Sequence, residues 1–451
     1  MTDAALQSQL DDFDPAVRRQ ALSALLKRGP PAAPTREPLH VNLHCHTLFS
    51  YNGYGASPSR VAWEARQQGW YAAGICDFDV LDGLPEFFEA TDRLAVRATA
   101  NVETRVFFRE YAAHVLNSPG EPGVYYFMGA GFVQPPAPGS SAAAQLDRLR
   151  AGAAQRNREL VAKVNTHLAP VQLDYDHEVL PLTPAGNATE RHICTAYYEA
   201  AKRHWAEPAA RTKFWSDKLG AATDAIAKVL DNPMDFNDLI RAKLMKQGGP
   251  GYVAPDPQSF PLLDNVIRLV RDCQAVPMAT WLDGTSTGEA SITELLECQI
   301  AKGIAALNII PDRNWNIKDP ETRRLKIAKL EACVATADRL GLPVNVGTEL
   351  NKYGQPWVDD FTAEPMRRVA PSFIRGARIM VGHTRLLRFA AYSYSGAAAK
   401  AEVPDLTRRN AFFEAVGTLP PPDARTLAQL RTSAPSANLD RLRNAARRGR
   451  W

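Results

Sequence analysis

The chain has 451 residues, of which 45% are hydrophobic and 23% charged. That is ordinary globular composition, with room for one large barrel with additions or for two to three domains. Lys and Arg number 53 against 49 Asp and Glu, a net charge of +4, too small by itself to argue for a nucleic-acid partner.

No apolar run reaches the roughly 18 residues that span a bilayer. The polar, acidic start MTDAALQSQLDDFDP shows no signal peptide. Cys45, Cys76, Cys194, Cys273, Cys298 and Cys333 have no paired spacing and read as reduced thiols. The expectation is a soluble, cytoplasmic protein without a membrane partner.

Residues 1 to about 30 read as one or two amphipathic helices, followed by the Pro-rich linker PPAAPTREP, so that 1–38 form an extension. Strand-like runs then alternate with helical ones. The expected strands are VNLHCH (41–46), YAAGICDF (71–78), ATANVETRVFF (98–108), AAHVLN (112–117) and VYYFMGAG (124–131). VPMATWL (276–282), IAALNIIPD (304–312), LPVNVGTE (342–349) and ARIMVGHT (377–384) follow. Helices are expected over 58–68, 141–168, 289–302, 321–340 and 386–395. Such alternation argues for an α/β fold with a parallel sheet. So many units favour a closed barrel, placed over 39–395. Residues 205–272 break the alternation and read as a helical insertion ending in a glycine loop. Residues 396–451 read as a loosely packed basic extension, ending RLRNAARRGRW.

Several expected strands end in titratable residues: His44 and His46, Asp77 and Asp79, Glu103, His114, Asp283, Asp312, Glu349 and His383. In a β/α barrel such ends converge on one mouth. Two histidines at i and i+2 of a strand share a face, and neutral imidazoles on one face suit a divalent metal.

HCHTLFSYNGYGASP resembles the opening motif of the PHP (polymerase and histidinol phosphatase) family. GICDFDVLDGLPEF is similar to its second motif, and NVETRVF to its third. AAHVLN and ATERHICTAYYEAA resemble two later ones. The resemblance covers 40–204 well and 275–385 loosely. It implies a distorted seven-stranded β/α barrel, a (β/α)7 TIM-like barrel of PHP type, here with a helical insertion. It also implies hydrolysis of phosphate esters with divalent metals (manganese, zinc or iron). The implied ligands of one ion are His44, His46, Glu103 and Glu349. A second ion would share Glu103 and take His114 and His192. A third site would fall on Tyr51 or Asn52, Phe78 and Asn351, none of them a usual ligand there, so two ions are expected.

Hydrolysis also needs cations for the substrate oxygens. Arg191, Arg313 and Lys246 are the candidates; the two arginines are equally open to ordinary ion pairs, and the glycine loop after Lys246 to a plain turn. Asp77, Asp283 and His383 are the candidates for proton transfer. Asp77 alternatively fixes a turn, and Asp283 alternatively caps the helix after it. The expected substrate is a small phosphorylated metabolite or nucleotide. The alternatives are a nucleic-acid processing factor, a barrel with other hydrolase or lyase chemistry, and a silent metal-binding protein. The sequence does not indicate an oligomeric state.

Overall fold

A computed structural model describes residues 1–32, 39–254 and 260–451. Most of the Pro-rich linker and part of the glycine loop lie outside the described residues. Seven strands build one sheet in sequence order: β1 (Val41–Cys45), β2 (Ala72–Phe78), β3 (Ala98–Phe107), β4 (Val124–Ala130), β5 (Val276–Trp281), β6 (Ala306–Ile309) and β7 (Val344–Val346). All neighbours are parallel except β4, which runs antiparallel to both β3 and β5. The sheet nearly closes on itself, because Cys45 bridges to Glu349 beyond β7. The Glu349 N–H donates to the His44 carbonyl at 2.8 Å, and the His46 N–H to the Glu349 carbonyl at 2.7 Å. The result is a distorted, mixed seven-stranded barrel.

Every residue of β1 and β5 is buried, as expected of strands covered on both faces. The covering helices follow their local signals. Helix α3 (Pro58–Gln68) begins at Ser57, whose hydroxyl accepts the Arg60 N–H, and stops at left-handed Gly69. Before α3 lie α1 (Asp3–Gln9) and α2 (Pro15–Arg28), and after it α4 (Leu84–Leu94). The long α5 (Ser141–Leu168) matches its expected span, and α6 (Glu190–His204) follows. Three short helices come next, α7 (Pro208–Leu219), α8 (Thr223–Val229) and α9 (Pro233–Ile240), then a π-helical turn, Arg241–Met245. The C-terminal half of α5 and α6 to α9 share a hydrophobic core of their own, around Tyr197, Trp215 and Phe236. Helix α10 (Leu263–Asp272) instead turns Val266, Ile267, Leu269 and Val270 into the barrel core. It therefore belongs with the barrel's covering layer. Helices α11 (Ile292–Lys302), α12 (Asp312–Trp315) and α13 (Pro320–Arg339) complete the later units.

Two expected strands are not strands. AAHVLN lies in a loop after the turn Arg109–Tyr111. ARIMVGHT lies inside α14 (Glu364–Ala390), in the second half of the helix, which is buried on nearly all sides. A helix without a polar face has no clear 3.6-residue period, so a short window of it reads like a buried strand. The extension after it is not loose either. It forms α15 (Ala397–Glu402), α16 (Leu406–Thr418), α17 (Ala424–Thr432) and α18 (Pro435–Arg448). Leu442 and Ala445 of α18 are fully buried, and the Asn438 amide donates to the Phe389 carbonyl at 2.8 Å. Arg431 and Arg443 pair with Asp92 and Glu402. Among the described residues, no helix is long and apolar enough to cross a membrane, and all six cysteines are free thiols.

Candidate metal centre

His44 and His46 close β1 at the barrel mouth, and Glu103 stands on β3, two strands away. All three are buried. Their ligating atoms lie within 4.8 Å of one another, and no other such group of His, Cys, Asp or Glu occurs among the described residues. The His46 Nε2 is 3.3 Å and the His44 Nε2 3.6 Å from Glu103 Oε2. Three ligands at about 2.1 Å from one ion stand roughly 3.4 Å apart in a tetrahedral arrangement, so the separations suit a shared ion. Both Nε2 atoms are buried without an aligned hydrogen-bond partner, an arrangement that normally needs an explanation. A divalent ion between them and the carboxylate supplies one.

The opposite ring nitrogens are tied down. His44 Nδ1 lies 3.3 Å from Asn308 Oδ1, and that oxygen also accepts the Asn345 amide at 2.8 Å. Asn308 therefore faces His44 with an acceptor, placing the imidazole proton on Nδ1 and the lone pair on Nε2. His46 Nδ1 lies 3.1 Å from Ser50 Oγ, whose proton goes to Asp77 Oδ1 at 2.7 Å. Ser50 is thus an acceptor for His46 too. Fixing the far nitrogen in this way is how proteins aim metal-ligating histidines. Without an ion, burial would raise the Glu103 carboxyl, but charge and hydrogen bonding from the histidines hold it well below the usual range. Glu103 in turn raises His44 against its own burial. An ion bound to the Nε2 lone pairs would take the place of that positive charge.

Asp77 is therefore a positioning residue. Its two oxygens accept the Thr47 N–H, the Thr47 hydroxyl and the Ser50 hydroxyl, each at 2.7 Å. It does not line the cavity described below. Asp283, the second proton-transfer candidate, turns away to Lys326 at 2.7 Å and accepts from Thr285. These bonds close a local turn; the helix that follows begins only at Ile292, with no side-chain cap, so the capping reading does not hold either. The third candidate, His383, sits within α14 against Gly131, just past the end of the antiparallel β4. That places it at the opposite end of the barrel from the mouth.

His114 and His192 do not join the ligand group. His114 is an exposed loop residue. His192 is buried at the start of α6, where its Nδ1 accepts the Thr189 N–H at 3.0 Å. That bond places its proton on Nε2, which leaves no lone pair for an ion. Burial lowers its pKa to about 4. Glu349 reaches the mouth but lies outside the group. Its Oε2 accepts from Arg313 and, at 3.1 Å, from the Asn351 amide. Of the three positions that depart from the PHP pattern, two are filled by packing, since Phe78 stacks on His46 at 4.4 Å and Tyr51 lies edge-on to His192 at 5.1 Å; the third, Asn351, donates to Glu349.

A cavity of about 600 Å³ opens beside Glu103, between the barrel mouth and the helical layer. All three cations singled out from sequence line it. Arg191 pairs with Asp238 at 2.7 Å, Lys246 with Glu190 at 2.7 Å, and Arg313 with Glu349. Three further cations line it, Arg105, Arg156 and Arg241, none of them singled out from sequence. Arg105 had a signal, since it lies two residues beyond Glu103 on the same strand face. Arg241 had none, because its place depends on the fold of the helical layer. Asp79, beside the cavity, holds a left-handed backbone at φ 60° and accepts the Thr104 hydroxyl at 2.5 Å.

No protein-family model and no curated protein matches the chain. Among solved structures it is similar to an amidohydrolase from Chromobacterium violaceum with bound sulfate and no metal. That pair has a TM-score of 0.47 and 16% identity, over 73% of this chain and 96% of that one. It is also similar to a proposed metal-dependent phosphoesterase from Bifidobacterium adolescentis, with a TM-score of 0.46 and 18% identity, over 75% and 98%.

The misplaced histidine carries a testable consequence. The His383 Nε2–H donates to the Gly131 carbonyl at 3.1 Å, and its Nδ1 accepts the Tyr394 N–H at 3.1 Å. Protonating Nδ1 would break the second bond, and burial brings the ring down to about 4. The folded pKa is thus below the unfolded one, so this stability is intact above about pH 6.5 and is lost as pH falls toward 4. His192 acts in the same direction. Urea unfolding should show a drop on the order of 2 kcal/mol per histidine between pH 7 and 4.5. His383→Gln should flatten part of that dependence; an unchanged pH profile in the variant would refute the assignment.

Proposed function

We propose that this chain is a metal-dependent hydrolase acting on a small phosphate ester. One observation carries the reading: two buried, partnerless imidazole nitrogens converge with a carboxylate on the edge of a cation-lined cavity. The resemblance of residues 40–204 to the PHP family supports the phosphate ester. The ion is held by His44, His46 and Glu103, and zinc, manganese and iron all suit this donor set. One ion is proposed here, because His114 and His192 do not complete a second set.

When bound, such an ion supplies Lewis acidity and a water activated near neutral pH. The chain's residues do the rest. Asn308 and Ser50 keep the two imidazoles neutral at Nε2. Lys246, Arg191 and Arg313 offer their cations to the phosphate oxygens, each already balanced by a carboxylate that keeps it in place. The water oxygen bonds to phosphorus as the ester P–O bond breaks, giving an alcohol and phosphate, with the water's protons shared between the products. The helical layer over the mouth limits the substrate to small molecules, and the cavity volume falls in the usual range for such ligands.

A panel of phosphate monoesters and diesters, assayed with zinc, manganese and iron, tests this reading. Metal-dependent phosphate release is expected from at least one substrate, lost with chelator and restored by metal. Metal binding without release from any ester would move the chemistry to another hydrolytic substrate.

A further inference from the structure

Glu349 and Leu350 are consecutive non-glycine residues with left-handed backbones, at φ 64° and 56°. Such a backbone is strained for a residue with a side chain and persists only where the surroundings enforce it. Here three main-chain bonds do so: Glu349 N–H to the His44 carbonyl, His46 N–H to the Glu349 carbonyl, and Gly53 N–H to the Leu350 carbonyl. The strained pair delivers the Glu349 carboxylate to the mouth, close enough for its charge to act on His44. Yet the carboxylate is outside the ligand group. One of its oxygens is committed to Arg313 and Asn351. Arg313 springs from α12, directly after β6, and its side chain is 44% exposed, with the guanidinium on the cavity wall.

We infer that Arg313 is a built-in cation beside a single-ion centre: it withholds Glu349 from the metal and presents its guanidinium to an anionic oxygen of the substrate. This rests on the metal-site reading above and deepens it. An arginine so placed supplies the fixed positive charge that a second ion would otherwise bring, in a planar form matched to phosphate oxygens. Glu349 has a stated role as well. It holds the guanidinium in place between turnovers and offsets its charge next to the ion.

Zinc titration against a chromophoric chelator tests the inference on the full chain and on R313Q, R313K and the double variant R313Q/E349Q. Wild type should hold one zinc per chain. R313Q frees Glu349 to ligate and removes a repelling charge, so zinc should bind about tenfold tighter or more, the size of one gained charge-assisted contact. R313K keeps the charge and should stay near wild type. R313Q/E349Q should lose the gain. Unchanged or weaker zinc binding in R313Q, a gain that survives in the double variant, or two ions per wild-type chain would each overturn the inference. If R313Q does not fold, the zinc-loaded wild-type structure decides: Glu349 on Arg313 supports the inference and Glu349 on zinc overturns it. A wild-type chain that holds no zinc would instead overturn the site reading itself. One zinc in wild type with unchanged R313Q would overturn only the role of Arg313.

Discussion

His46→Ala should lose both metal retention and turnover. In the proposed centre the ring supplies one of three ligands, and Ala leaves His44 and Glu103 facing each other across a gap. Metal catalysis contributes several kcal/mol of transition-state stabilisation, so a loss of about a thousandfold in kcat/KM is expected. The fold should survive. His46 is buried, but its hydrogen-bond partner Ser50 keeps its bond to Asp77. Elemental analysis after dialysis checks the first part, and a thermal melt checks the second. A His46→Ala chain that keeps wild-type metal content would show that the ion is held elsewhere.

Gly417→Ala should cost the fold about 3 kcal/mol or more, at the upper end of overpacking penalties. A Cβ there would fall inside the contact distance of the Arg378 carbonyl oxygen, and one at Gly382 would do the same to the Phe413 carbonyl. Helices α14 and α16 therefore cross backbone to backbone through these two glycines. Neither obstacle is a flexible side chain that can swing away. Gly376, further along α14, meets the backbone of Val344 in β7 in the same manner. With total stability of about 5–15 kcal/mol in typical domains, such a loss would be plain in urea denaturation. Wild-type stability in Gly417→Ala would show that the crossing is looser than described.

The same glycines explain where sequence reading stopped. ARIMVGHT has β-branched and small residues with no polar stripe, because α14 is wedged between β7 and α16. Nothing local distinguishes that from a central strand, and the error carried His383 to the wrong end of the barrel. The first strands were legible because each is a short apolar run ending in polar residues at the mouth. His44 and His46 were legible as a pair from their two-residue spacing alone, and Glu103 from its place on β3. The ligand role of His114 rested on the resemblance of AAHVLN to a family motif; in the fold that segment is a loop and His114 is exposed, outside the ligand group. Asp77 looked like an available base. Only the structure shows both its oxygens spent on the Thr47–Ser50 turn, one of them behind His46. Glu349 was legible as a carboxylate near the mouth, but its left-handed backbone and its partner Arg313 were not. Ion pairs across 36 residues leave no periodic trace.

The basic tail gives a similar lesson. Its arginines suggested a solvated extension by composition. In the fold they flank an amphipathic helix whose other face, with Leu442 and Ala445, reaches the barrel's own core. Charge clustering described the exposed face correctly and said nothing of the buried one.

His44, His46 and Glu103 are proposed to hold a catalytic ion. Anomalous diffraction from crystals grown with zinc tests this most directly. The account predicts one strong peak, bonded to both Nε2 atoms at about 2.0–2.1 Å and to a Glu103 oxygen at about 2.0–2.2 Å. A map with no peak between these three residues, or with the ion bound through His114 or His192 instead, would contradict it.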